Sequence, residues 1–260
     1  LLADARAAGY TVWTRAADLQ GPPPERLLGL FARDHFPFQL DRERLPEAER
    51  PPSLAALTRL ALEILGRDDG SFFLLVEGGR IDHAAHGFDP AGTAAETRAF
   101  DQAVAAALAF QRLRPDTLLL LTADHATGGL AINDDADWTA LARQRSSVAW
   151  LTRELRKGAG AEVVREATGY ELTRWEVKAV RRQSDVYEAE RALGTALSRR
   201  HRITFVPKVN LEDTKGHTGE DVPLYAGGPG AERFAGVLDN AEIPSRLAAL
   251  LGWEWLPGPR

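Results

Sequence analysis

The sequence predicts an α/β fold, with a central, largely parallel sheet flanked by helices, and three observations carry that expectation. From Leu1 to Leu121 short apolar runs alternate with amphipathic stretches, the rhythm of strands joined by helical crossovers. Two of those runs, Phe72–Val76 and Thr117–Leu121, are almost continuously apolar, which suits central strands covered on both faces. With 260 residues, 44% hydrophobic and 27% charged, the chain has the material for one domain with a sizeable core.

In chain order, Leu1–Ala8 reads as helix, Thr11–Trp13 and Leu27–Phe31 as extended, and Leu54–Leu65 as helix. Phe72–Val76 is extended, Thr93–Leu113 helical and Thr117–Leu121 extended. From about Asp134 to Arg200 the chain turns into long Ala/Arg/Glu-rich helical segments, broken near Gly158-Ala159-Gly160 and at Gly169. This predicts a helical insertion, residues 134–202, within a single domain covering residues 1–260. Extended pattern returns at Ile203–Val206 and Val222–Tyr225, and Ala241–Leu251 forms a helix ahead of a Pro/Gly-rich tail.

Charge excludes some partners. A net charge of −5, from 32 basic and 37 acidic residues, supplies no one-sided field to attract a nucleic-acid backbone. The pairs Arg181-Arg182 and Arg199-Arg200 fall in helical stretches, where a solvated face accounts for them. No run reaches the ~18 apolar residues of a membrane span, and Asp4 and Arg6 interrupt any signal-peptide core near the start. Without cysteine there is neither a disulfide framework nor a thiolate ligand, so a metal must be held by His and carboxylate. The chain lacks methionine and opens mid-pattern with Leu-Leu-Ala-Asp-Ala-Arg, which predicts a processed or truncated product.

The chemistry concentrates at strand ends. Directly after Phe72–Val76 comes Glu77-Gly-Gly-Arg-Ile-Asp-His-Ala-Ala-His86. Asp82 and His86, four residues apart, share one helix face and can converge on one ion, an oxygen and nitrogen donor pair suited to zinc. Thr117–Leu121 runs into Thr122-Ala-Asp-His125, at the carboxyl end of a strand where open α/β sheets bind ligands. Lys215-Gly-His-Thr-Gly-Glu-Asp221 sets His217 between glycines. Any one of these has an ordinary reading as a hydrogen-bonded loop pair. Four of the six histidines, His83, His86, His125 and His217, gathering at strand ends point instead to a site with two or more metals.

The segments Val76–His86, Thr122–Gly129 and Gly216–Gly219, in that order, resemble the three C-terminal signature segments of alkaline phosphatases. The likeness runs from Ala8-Gly-Tyr-Thr-Val12 to Leu224-Tyr-Ala-Gly-Gly-Pro-Gly230 and loosens only in the helical insertion. The resemblance implies two zinc ions and one magnesium ion. Asp82, His86 and His217 correspond to ligands of the first zinc, Asp124 and His125 to two ligands of the second, and Glu77 to a magnesium ligand. His83 falls where the family places a residue near bound phosphate. The implied reaction is hydrolysis of phosphate monoesters through a phosphoserine. The implied setting is periplasmic or extracellular, with a homodimeric partner.

The family's nucleophilic serine, an Asp bridging the second zinc and magnesium, a magnesium-binding Thr and a phosphate-gripping Arg have no counterpart. Ser184-Asp185, the nearest match to the nucleophile's setting, lies in the helical insertion. No catalytic nucleophile is therefore expected on this chain, which covers only part of the fold. A missing N-terminal segment should supply the nucleophile, and without it sheet edges and apolar faces stay uncovered. Competing expectations are a phosphodiesterase or phosphomutase of the same superfamily, and a non-catalytic metal-binding fragment.

Overall fold

The computed structural model describes residues 1–68, 70–206 and 216–253. It begins with helix Leu2–Ala7 (α1), strands Thr11–Trp13 (β1) and Leu27–Gly29 (β2), and helices Gln39–Arg42 (α2) and Leu54–Leu65 (α3). Helices Arg80–His86 (α4) and Pro90–Leu113 (α5) lead to strands Leu119–Leu121 (β3), Ala126–Thr127 (β4) and Ala131–Ile132 (β5). Then come helices Trp138–Arg143 (α6), Val148–Lys157 (α7), Glu162–Thr168 (α8), Arg174–Arg182 (α9) and Val186–His201 (α10). Strands Ile203–Thr204 (β6), His217–Thr218 (β7) and Tyr225–Gly227 (β8) precede the last helix, Glu242–Leu250 (α11). Lys215 and the Pro/Gly-rich tail lie outside the described residues. Among the described residues, no helix is long and apolar enough to cross a membrane.

Local chemistry explains where the helices start. Ser53 caps α3 by accepting from the Ala56 N–H, Asp137 caps α6, Ser147 caps α7 and Asp185 caps α10. Each side-chain oxygen satisfies one of the free N–H groups of a first turn. Thr173 and Glu176 complete a reciprocal capping box at α9. Gly158 and Gly169, where the sequence suggests breaks, end α7 and α8 in the left-handed conformation.

The α/β class holds, but the strands differ in detail from the sequence reading. Among the described residues β1 and β2 pair in parallel, whereas β3–β8, β4–β7 and β5–β6 are antiparallel. Phe72–Val76, expected as a central strand, forms no ladder, and Phe73 and Leu75 are 61% and 78% exposed. An apolar run marks residues fit for a strand, but a ladder also needs a neighbour about 4.8 Å away. Nothing among the described residues supplies one. Val222–Tyr225 gives way to Tyr225–Gly227 as the paired segment, in register with Leu119–Leu121.

The largest buried cluster lies in the helical region: Val148, Leu151, Leu155, Val164, Leu193 and Leu197 from α7, α8 and α10 are at most 1% exposed. A smaller cluster of Ala85, Phe88, Ala136, Ile203 and Phe205 packs under the C-terminal end of α4. His201, at the end of α10, is fully buried, and neither ring nitrogen has a hydrogen-bond partner among the described residues. Burial pulls its pKa down to about 4, against the opposing charge of Asp137. The unfolded chain takes up this proton near pH 6.5, so between there and about 4 it binds more protons than the folded chain, and stability falls as pH falls. The loss is on the order of 3 kcal/mol across that window. Melting curves of wild type and His201→Phe should therefore separate increasingly from pH 7 to pH 4.5, the variant losing less. Parallel profiles would mean that the imidazole finds a proton acceptor.

Candidate metal centre

Helix α4 turns Ala84 and Ala85 inward, at 2% and 5% exposure, and leaves Asp82, His83 and His86 half-buried on its other side. One helical turn brings Asp82 Oδ2 within 3.3 Å of His86 Nε2. Helix α10 braces the C-terminal end of α4. A Cβ on Gly194 would overlap the carbonyl oxygen of Gly87, so only glycine permits this approach. From the same helix Arg191 Nε donates to the His86 carbonyl at 3.1 Å, satisfying an acceptor that the end of the helix leaves open.

The third donor arrives through the β4–β7 ladder, in which Thr127 faces His217 and Ala126 faces Thr218. Gly216, just before His217, has φ +96°, and a side chain there would press on His86 Nδ1 at 3.2 Å. The close turn seats His217 Nε2 3.2 Å from His86 Nε2 and 3.9 Å from Asp82 Oδ1. One ligand atom from each of Asp82, His86 and His217 lies within 4.8 Å of the other two.

Asp124 and His125 lie in the turn between β3 and β4. The His125 ring stacks on His217, with centroids 3.7 Å apart, and its Nε2 is 3.2 Å from Asp124 Oδ2. A second oxygen and nitrogen donor pair thus adjoins the first cluster. Thr127, two residues after His125, donates its hydroxyl to Asp82 Oδ1 at 2.6 Å and stands 3.2 Å from His125 Nδ1. The sequence reading passed over Thr127. The spacing of two from His125 was the available signal.

The electrostatics suit a cation. Burial pushes the Asp82 carboxyl up, but hydrogen bonds with His86 and Thr127, together with the charges of His86 and His125, bring it down to about 2. His217 is lowered by burial and then by His125. One carboxylate and two closely spaced imidazoles form a three-donor group that could hold a metal ion.

His83 faces another neighbourhood. Arg80, stacked over the Phe38 ring at 3.6 Å, points Nη1 at His83 Nδ1 across 2.9 Å. A guanidinium only donates, so Nδ1 accepts and Nε2 carries the ring proton. Burial, then the charges of Arg80 and His35, lower the His83 pKa. Glu77 is exposed and folds back toward Gly79. No hydrogen bond or ion pair among the described residues joins it to the cluster. Ser184 is exposed between α9 and α10, where its carbonyl accepts from Arg156.

Fold and site together define an α/β protein with a carboxylate-imidazole cluster brought together by helix α4, the β3–β4 turn and strand β7. The alkaline phosphatase family profile matches residues 1–253, and the chain belongs to the alkaline phosphatase family. It is 32% identical over 258 residues to alkaline phosphatase 3 of Bacillus subtilis, covering 95% of this chain and 53% of that protein. It is also 32% identical over 271 residues to streptomycin-6-phosphate phosphatase of Streptomyces griseus, covering 95% of the chain and 49% of the relative. Among solved structures, Thermus thermophilus alkaline phosphatase superposes with a TM-score of 0.84 at 28% identity, over 98% of this chain and 59% of that one. The cold-active alkaline phosphatase of a Shewanella species gives 0.79 at 31% identity, over 96% and 61%. The chain spans about half the length of the curated relatives it matches.

Proposed function

We propose that these residues form the metal-holding portion of a phosphoric monoester hydrolase. The observation that carries this is the convergence of Asp82, His86 and His217 within 4.8 Å, with Asp124 and His125 alongside, in a chain of the alkaline phosphatase family. Asp82, His86 and His217 would hold one zinc, Asp124 and His125 a second, and Glu77 a magnesium ion. The donor set fits, being oxygen and nitrogen only. When bound, a zinc pair offsets charge on the phosphoryl group and lowers the pKa of the attacking hydroxyl and water.

The residues of this chain orient that chemistry. Asp82 and the stacked His125 and His217 would position the two zinc sites, and the Nε2–H of His83 would donate to a phosphate oxygen, directly or through water. We assign the nucleophilic serine, which would carry a phosphoserine intermediate, to a segment upstream of Leu1. The exposed Phe73 and Leu75 support a sheet completed by other residues, and the 260 residues alone are assigned no activity. Residues 134–202 are assigned as a helical insertion in the one domain. Periplasmic or extracellular location and homodimer formation are inferred from the family alone.

The decisive comparison uses the full-length protein with zinc and magnesium, acting on an aryl phosphate monoester and the matching diester. Faster turnover of the monoester is expected. A preference for the diester would overturn the assignment.

A further inference from the structure

We propose that Thr127 is a positioning residue whose single hydroxyl orients one ligand of each zinc site at once; the proposal rests on the ligand assignment above. Oγ1 lies 2.6 Å from Asp82 Oδ1 and 3.2 Å from His125 Nδ1. An ionised carboxylate can only accept, so the one hydroxyl proton is committed to Asp82. The contact with His125 then requires the imidazole to donate from Nδ1 to the threonine oxygen. That puts a ring proton at Nδ1 and leaves Nε2, 3.2 Å from Asp124 Oδ2, as the nitrogen available to a metal ion.

On the other side the bond to Oδ1 fixes the Asp82 carboxylate with Oδ2 toward His86 Nε2, 3.3 Å away. The two clusters are therefore oriented by one side chain, held in place by the pairing of Thr127 with His217 across the β4–β7 ladder. A hydrogen bond to the far nitrogen of a ligating imidazole selects its tautomer and aims its ring.

The test uses the full-length protein with Thr127→Val, which keeps the shape and removes the hydroxyl, and Thr127→Ser, which keeps the hydroxyl. Zinc affinity is read by chelator competition, and the His125 tautomer by ¹⁵N NMR of the metal-free protein. Thr127→Val should weaken zinc binding by roughly 10–100-fold and release His125 into a mixture of tautomers. Thr127→Ser should restore both readouts. Wild-type affinity and tautomer in Thr127→Val, or equal losses in Val and Ser, would overturn the proposal. If the valine variant fails to fold, the wild type still decides: a His125 Nδ1 that carries no proton sinks the idea. Absence of zinc from the wild type would instead remove the ligand assignment, leaving the tautomer result to be read separately.

Discussion

Replacing Asp82 by alanine is expected to lower zinc affinity by well over ~100-fold, because even groups one bond removed from a metal contribute 10–100-fold. Asp82 is the shared centre of the cluster. It faces His86 at 3.3 Å and His217 at 3.9 Å and accepts from Thr127. Its removal leaves two imidazole nitrogens 3.2 Å apart without the anion that draws a cation between them. His86→Ala and His217→Ala each remove one of three donors and should also reduce zinc content sharply. Metal analysis of the purified full-length variants, with monoester hydrolysis in parallel, checks this. Full zinc content in all three would remove the site.

The second large effect concerns stability. Asp89 is 2% exposed and accepts from three N–H groups: Gly92 at 2.9 Å, Val148 at 2.8 Å and Gln144 Nε2 at 2.8 Å. It caps α5 immediately after α4 and at the same time ties down the first residue of α7. Burial pushes its carboxyl up to about 6 despite these donors. Asp89→Ala would strand three buried donors at about 1–3 kcal/mol each, a loss on the order of 4 kcal/mol and a large part of a typical domain's stability. Asp89→Asn keeps an acceptor and should lose less than half as much. Denaturant titration of the full-length variants measures both, and a change below about 1 kcal/mol for alanine would show that water or a rearranged loop replaces the carboxylate.

Much of the local structure was legible. Leu54–Leu65 is helical over the residues expected because Ser53 supplies the cap and the apolar spacing supplies a buried face. The pairing of Asp82 with His86 follows from helical periodicity alone. The start of α5 was placed three residues late, at Thr93 instead of Pro90, although Asp89-Pro90 is a cap followed by a favoured first helical residue. Phe72–Val76 forms no ladder among the described residues for a different reason: its composition reports suitability for a strand and not the presence of a partner. Glu77, named for magnesium from resemblance, is not joined to the cluster by any hydrogen bond or ion pair recorded among the described residues.

The identities of the donors, their placement in short motifs and the helix that aligns Asp82 with His86 were determined by the sequence itself, because capping and periodicity act over only a few residues. That His217 meets those two, that His125 stacks on it, and that Thr127 lies between Asp82 and His125 were decided by the tertiary structure. Those contacts depend on the β4–β7 register and on the close passage of α10 at Gly194. Both join residues far apart in the chain, where a one-residue slip would turn every side chain of the strand to the opposite face.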